Sequence, residues 1–194
     1  MNRFFAYANR YRILSPEEKQ FITTHARVRR YTKHDYYLLT GEVALHWCFV
    51  LTGLVGGFRY FSDDTEDLFW IVGQNGYFTG TKHLFSNRST DLDIKFLDRS
   101  EILQIPLTNI RYAQQHFDGI SEFLHVLKQK KIEETKLLLA MNKVKDGVQR
   151  YIYFRNHFPH LVHQLSMANT CLYLNISNST YKRGQRIYLQ MRND

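Results

Sequence analysis

The sequence predicts an α+β protein with an N-terminal antiparallel β-roll of the jelly-roll type, a long connecting helix and a C-terminal helix-turn-helix. Residues 28–106 alternate short aromatic and β-branched runs with turn residues, which is typical of strands in a sandwich, roll or barrel. After Pro106 the apolar residues recur at helical spacing. The net charge of +8 is also uneven, because residues 1–119 contribute +1 and residues 120–194 contribute +7. Such polarisation indicates that the C-terminal part meets a polyanion.

The first predicted element is a helix that begins after Ser15. Ser15 can cap it, Pro16 suits its first turn, and Glu18 can reach back to complete a capping box. We expect this helix to end near His25.

Short strands follow, with no helical pattern between them. Gly41-Glu42, Thr52-Gly53, Asp63-Asp64, Asn75-Gly76 and Asp98-Arg99-Ser100 are the turn signals that separate them. The predicted strands are residues 28–31, 36–39, 47–52, 54–61, 67–72, 91–97 and 101–105.

Two helices come next, residues 108–117 and a long helix over 118–142 that Asp118 can cap. Part of the long helix carries an apolar stripe at spacings of three and four, which suits a partner helix in a dimer. A polar segment, residues 128–135, interrupts it, so packing on the chain's own β-region is an equal alternative. The stripe consists of Ile120, Leu124, Leu127, Leu138 and Met141.

After a helix over residues 146–156, the stretch 165–191 has the pattern of a helix-turn-helix. Its first helix ends at Leu174, Asn175 tolerates the left-handed turn conformation, and Ile176 fills the corner. Ser177 can cap a second helix with a polar opening turn. In a helix-turn-helix this second helix lies in the DNA major groove.

The second helix carries the candidate DNA contacts, and positive charge is what phosphate binding requires. Gly184 costs this helix about 1 kcal/mol in propensity. It also predicts a packing gap that Tyr181, Tyr188 and Met191 must close. The alternative is two packed helices with a solvated basic face. The candidate contacts are Ser177, Asn178, Ser179, Thr180, Lys182, Arg183 and Arg186.

Other function classes find little support. The longest apolar runs, residues 47–51 and 137–141, fall far short of the ~20 residues that a membrane span needs. With no signal-peptide pattern either, we expect a cytoplasmic protein. Cys48 and Cys171 are too few for a zinc or iron–sulfur site. We predict no metal site and no cofactor, although His157, His160 and His163 are evenly spaced. No nucleophile, dinucleotide or phosphate-loop motif of an enzyme is present.

In this order the elements resemble the cyclic-AMP receptor protein/Fnr (Crp/Fnr) family of bacterial transcription regulators. The resemblance covers nearly the whole length and depends on Leu39-Thr40-Gly41-Glu42, on Trp47-Cys48-Phe49-Val50-Leu51-Thr52-Gly53 and on Leu174-Asn175-Ile176-Ser177 with Thr180. It implies a sensor region over 1–117, a dimer helix over 118–143 and a DNA-binding region over 144–194. It also implies a homodimer that binds double-stranded DNA at a two-fold operator.

The effector pocket departs from the family pattern. Cyclic-nucleotide binders of this family carry a Gly-Glu pair, whose Glu holds the ribose, and then an Arg that holds the phosphate. Here Gly80 fits, but Thr81 stands in place of the Glu, and Arg88-Ser89 is followed by Thr90 and Asp91. We therefore expect cyclic AMP to bind poorly. Binding of another small anionic effector is the alternative that the sequence leaves open. The alternative for Arg88 is an ion pair with Asp91 or Asp93.

The reading positions of the second helix also differ. Where guanine-reading members carry Arg, Glu and a second Arg, this chain has Asn178, Ser179 and Arg183. Its operator sequence should therefore differ. The leading hypothesis is a dimeric DNA-binding transcription regulator. The alternative is a ligand-sensing or scaffold module that has lost DNA binding. This alternative is favoured by Gly184, by Thr81 and by the interrupted apolar stripe of the long helix.

Overall fold

The computed structural model describes residues 1–61 and 65–192. The turn predicted at Asp63-Asp64 lies outside the described residues. In chain order the elements are α1 Asn2–Ala8, α2 Pro16–His25, β1 Arg27–Tyr31, β2 Tyr36–Leu38, β3 Ala44–Thr52, β4 Val55–Tyr60, β5 Glu66–Val72, β6 Tyr77–Gly80, β7 Asp93–Phe96, β8 Ser100–Pro106, α3 Leu107–His116, α4 Asp118–Asn142, α5 Gly147–His157, α6 Pro159–Val162, α7 Met167–Leu174 and α8 Asn178–Met191.

The eight described strands form two antiparallel sheets, in the orders β1-β8-β3-β6 and β2-β7-β4-β5. Both contribute to one buried core, in which Val50 and Ile102 of the first sheet meet Ile94 and Phe96 of the second. The predicted α+β class with antiparallel sheets is confirmed. Strand β6 was not predicted, because its four residues lie between Gly76 and a stretch interpreted as an effector loop.

Helix α2 begins as predicted, and its capping residue does a second task. Ser15 and Glu18 form the capping box, and Glu18 Oε1 also accepts the Ile120 backbone N–H at 3.2 Å. A side chain at Gly119 would collide with that carboxylate. The predicted cap at Asp118 is therefore wrong. Asp118 makes no side-chain capping bond, and a carboxylate from α2 serves the first turn of α4 instead.

The first half of α4 packs on the chain's own β-region. Ile120, Leu124 and Leu127 are buried in one cluster with Phe4, Phe49 and Phe123. Met141 is buried in a second cluster, against which Leu138 packs. The stripe assigned to a dimer seam thus faces its own chain, as the alternative interpretation held. The reason is that the β-region and the C-terminal helices offer apolar surfaces that only the folded chain brings to α4.

The C-terminal helices do not form a separate core. Tyr151, Phe154, Phe158 and Leu161 share one buried cluster with residues of β4 and β5. Helix α7 lies directly against β5. The helices therefore hold a fixed place beside the second sheet, while the domain boundaries at 117 and 143 stay predictions.

Candidate nucleic-acid interface

The turn between α7 and α8 has the conformation that the sequence predicts. Asn175 adopts left-handed angles, φ 48° and ψ 58°, which a short polar side chain tolerates best after glycine. The Ile176 N–H then donates to the Cys171 carbonyl at 3.0 Å, and Ile176 packs against the C-terminal core. These bonds fix the direction in which α8 leaves the turn.

Arg150 of α5 holds this turn from outside, and sequence reasoning missed it. Its Nη1 donates to the Leu174 carbonyl at 2.7 Å and to the Asn175 carbonyl at 3.3 Å. Its Nε donates to the Val144 carbonyl at 3.0 Å. One guanidinium therefore ties the end of α7 to the segment that joins α4 and α5. Arg150 counted only as one more positive charge in the sequence, because its acceptors are backbone atoms brought near by the fold.

The opening turn of α8 is a closed network of small polar groups. Ser177 Oγ accepts the Thr180 N–H at 3.2 Å and hydrogen-bonds the hydroxyls of Ser179 at 2.8 Å and Thr180 at 2.9 Å. Asn178 Oδ1 accepts from the Cys171 thiol at 3.3 Å. The predicted cap at Ser177 is confirmed. The amide nitrogen of Asn178 and the exposed hydroxyl of Ser179 lie at the open end of the helix.

Beyond the cap, α8 presents a basic face to solvent. Lys182, Arg183 and Arg186 are all exposed and lie on one side of the helix, together with Ser179. Within the described part of the chain, no residue after Lys136 takes part in a salt bridge. The cations of this face therefore have no ion-pair partner among the described residues, and they can meet phosphates directly.

Gly184 lies on the opposite side of α8, and the packing gap predicted there does not exist. The ring of Tyr151 occupies that space, since a Cβ built on Gly184 would lie 2.8 Å from Tyr151 Cδ1. Tyr181 packs edge-on against the same ring, with centroids 5.0 Å apart. Met191, predicted to hold the helix down, is 61% exposed and does not. Glycine lets α8 approach α5 closely, which is a positive reason for its presence.

The four residues of the predicted effector pocket form two adjacent pairs, Gly80-Thr81 at the end of β6 and Arg88-Ser89 in the segment after it. A side chain at Gly80 would overlap the Ala44 carbonyl, so glycine is required there. Thr81 is buried, and its hydroxyl donates to the His83 carbonyl at 2.9 Å. Ser89 is half-buried and Arg88 is exposed. An internal hydrogen bond thus occupies the hydroxyl that stands where a ribose acceptor would be.

The alternative pairing of Arg88 is wrong. Asp91 pairs with Lys82 at 3.3 Å, and Asp93 accepts from both the backbone and the hydroxyl of Thr40 at 2.7 Å. Among the described residues no salt bridge involves Arg88. Its guanidinium remains open to an anion from solution.

Aromatic rings fill the space between the two sheets. Tyr31 stacks on Phe96 with centroids 4.0 Å apart, and Tyr37 and Trp70 both contact Phe78. Tyr37 also accepts a hydrogen bond from the buried Cys48 thiol at 3.2 Å. Burial raises the pKa of Cys48 to about 12, so this thiol stays protonated. A ligand between the sheets would have to displace these rings.

Two surface clefts lie away from that loop. One, of about 520 Å³, runs along α4 beside His125, Gln129 and Glu133. The other, of about 440 Å³, lies between α5 and the end of α8, where Arg155 covers the Tyr188 ring. No three His, Cys, Asp or Glu side chains within residues 1–61 and 65–192 lie close enough to bind a metal ion. No helix in these ranges has the length and apolar character to cross a membrane.

Comparison with known proteins identifies the fold. No family model and no curated protein matches the sequence. Among solved structures, FixK2 from Bradyrhizobium japonicum superposes with a TM-score of 0.71 at 14% identity, covering 86% of this chain and 85% of that one. The c-di-GMP-responsive global regulator CLP of Xanthomonas campestris gives 0.68 at 15% identity, covering 92% of this chain and 93% of that one.

A third similar structure is a transcriptional regulator of the Crp/Fnr family from Eubacterium rectale. Its TM-score is 0.64 at 10% identity, with 98% of this chain and 89% of that one covered. Identities this low show a shared fold. The chain therefore has the fold of Crp/Fnr regulators, and the predicted resemblance is confirmed at that level.

Proposed function

We propose that this protein is a homodimeric, sequence-specific DNA-binding transcription regulator that works in the cytoplasm. Helix α8 enters the major groove, and the two copies read the halves of a two-fold operator one helical turn, about 34 Å, apart. The fold is that of Crp/Fnr regulators, and the helix-turn-helix pattern of the sequence folds as α7, a left-handed turn and α8. The side chains that α8 exposes distinguish a DNA-binding regulator from a module that has lost DNA binding.

The exposed, unpaired cations of α8 carry this proposal. Lys182 and Arg186 are suited to phosphate, whereas Arg183 is long enough for a bidentate contact with guanine. Asn178 is exposed and binds the Cys171 thiol through Oδ1 alone among the described residues, and Ser179 lies beside it at the exposed end of the helix. These residues can therefore reach base edges while the cap stays intact.

The alternative function, a module without DNA binding, loses one of its supports. It depended on Gly184 as a defect in α8. Because the Tyr151 ring fills that position, α8 is held firmly against α5. Thr81 and the polar centre of α4 concern the effector and the dimer, and neither weakens the basic face.

The dimer would use an exposed flank of α4 beside the buried stripe. Ile132 is 47% exposed and Leu139 is 59% exposed, and a spacing of seven residues places both on one side of the helix. His125 lies on the same side of the helix, two turns before Ile132. Two copies of α4 can bury these side chains against each other while each keeps its contacts with its own β-region.

The dimer seam is tested by an Ile132→Glu, Leu139→Glu double variant. In a dimer each introduced glutamate would be buried close to the glutamates of the other copy, and their charges would repel. We therefore expect light scattering to report a monomer of 23.2 kDa instead of a species of twice that mass. Ile13→Glu is the control, because Ile13 is also exposed but lies outside α4. A double variant that remains dimeric would show that the seam is elsewhere.

A small effector other than cyclic AMP would bind at the loop that follows β6. Thr81 and the aromatic filling between the sheets disfavour cyclic AMP, and Arg88 is the candidate contact for another small anion. Gly80 and Ser89 would line the same loop. An effector bound there would act by biasing the position of α4.

DNA binding through α8 is tested with an Arg183→Ala, Arg186→Ala double variant and a fluorescent duplex of random sequence. Loss of two cations from the contact surface should weaken binding at low salt by at least about tenfold. The control is Arg29→Ala, Lys33→Ala, which removes the same charge from exposed positions near β1. Equal losses in both variants would mean that only net charge matters, and the DNA surface would not be α8.

A further inference from the structure

The second sheet has two apolar faces, of which only one belongs to the core between the sheets. On β4 and β5, Phe58 and Leu68 are buried, yet they belong to the cluster that the C-terminal helices share. Ile71 packs against the same cluster from the edge. This outer face is thus covered by α5, α6 and α7.

The contacts across this boundary are direct. Helix α7 lies against β5, and Tyr173 of α7 belongs to the shared cluster. From α6, the side chain of Leu161 reaches the residue that follows β5, since a Cβ built on Gly73 would lie 3.6 Å from Leu161 Cδ2. We call Phe58, Leu68, Ile71, Phe158, Leu161 and Tyr173 the apolar seam.

Helix α8 contributes none of these six residues, although its Tyr181 and Tyr188 pack against the same cluster. It packs against α5 and α7, and its cations remain exposed. The seam therefore holds the C-terminal helices from one side and leaves the reading face open. Helix α4 also meets α5 directly, and Met141 is buried in the same cluster, so the seam acts together with that contact and with the short connection over residues 143–146.

We propose that the apolar seam positions α8 relative to α4, and that it thereby sets the spacing between the two DNA half-sites that a dimer accepts. This inference depends on the proposed function. A dimer gains affinity from its second reader only when both readers are aimed at the duplex together. Burying apolar side chains between sheet and helices supplies that orientation before DNA arrives, at no cost upon binding.

The test compares Leu68→Ser with Phe69→Ser in the full-length protein. Leu68 is buried in the seam, whereas its neighbour Phe69 is 57% exposed. Ile71→Ser, at the edge of the seam, is a milder second variant should Leu68→Ser fold poorly. Each protein selects ligands from a library of randomised duplexes, and sequencing gives both the half-site motif and the distribution of half-site spacings.

We expect the wild type and Phe69→Ser to enrich two half-sites at one spacing. The seam variants should enrich the same half-site motif with a broad range of spacings. Their preference for a full site over a half-site, about 10²- to 10⁴-fold in a rigid bivalent binder, should fall at least about tenfold. A general loss of stability would lower recovery of all DNA and leave the spacing unchanged.

Folded, dimeric seam variants that keep the wild-type spacing would overturn the inference and leave the proposed function standing. A wild type that enriches no sequence would overturn the proposed function, and this inference with it.

Discussion

At the scale of single residues, the structure gives two positions a role that the sequence pattern alone does not predict. Gly184 is unfavourable in a helix by propensity alone, yet it is where Tyr151 of α5 packs. Glu18 was a helix cap by its spacing from Ser15, and in the folded chain it also binds the first turn of α4. In both cases the partner lies on a different helix, which a local pattern cannot reveal.

Gly184→Ala should destabilise the protein although alanine is the better helix former. The added methyl group would lie within 2.8 Å of the buried Tyr151 ring, so ring or helix must move. Overpacking of this kind costs about 1–3 kcal/mol, more than the ~1 kcal/mol that alanine gains in propensity. Urea unfolding measures the difference, with Gln185→Ala at an exposed neighbouring position as control. A more stable Gly184→Ala variant would contradict the close approach of α5 and α8.

Arg150→Ala should loosen the turn that aims α8. It removes hydrogen bonds to the Leu174, Asn175 and Val144 carbonyls, and each bond of this kind contributes about 0.5–1.5 kcal/mol. We expect lower stability and faster amide exchange at Asn175 and Ile176. Lys143→Ala removes an exposed charge nearby and serves as the control. Unchanged exchange in Arg150→Ala would show that the turn holds itself.

At the scale of elements, local chemistry decided what could be predicted. The caps at Ser15 and Ser177 and the left-handed Asn175 follow from neighbouring residues, and the structure has all three. Strand β6 was missed because four residues give no readable alternation. The sequence leaves two partners open for the apolar stripe of α4, and the structure shows it packed on its own chain, because periodicity shows that a helix has an apolar side but not what covers it.

The same distinction between local and distant partners applies to the residues of the candidate site. The residues of the basic α8 face were identified correctly as exposed, since a charged stripe opposite an apolar one must face solvent. The residues that hold the helix, Arg150 and Tyr151, were not identified, because their partners are backbone carbonyls and a glycine on other elements.

At the scale of the whole molecule, buried ionisable groups link stability to pH. Burial raises the pKa of Cys48 from 9.0 to about 12 and that of Tyr151 from 10.0 to about 12. The unfolded chain loses these protons at its ordinary values, so it binds fewer protons than the folded chain in between. Stability is therefore fully present below pH 9 and falls as the pH rises toward 12.

This alkaline loss is measured by chemical denaturation at a series of pH values from neutral to strongly alkaline. We expect the free energy of unfolding to decline steadily above pH 9. A Cys48→Ala variant lacks one of the groups and should decline less steeply. A free energy of unfolding that stays constant across this range would contradict the burial of these side chains.

The basic face of α8 and the apolar seam proposed to position this helix both depend on one proposal, that the protein binds duplex DNA. The most direct test is the affinity of the wild type for a random-sequence duplex, measured by fluorescence anisotropy across a salt series. Phosphate contacts release counterions, so the logarithm of the affinity should fall linearly with the logarithm of salt, by about 0.9 per contact. We predict a slope of about −3.6, because Lys182 and Arg186 make two phosphate contacts in each of the two copies. A folded dimer that binds no DNA at low salt would contradict the account.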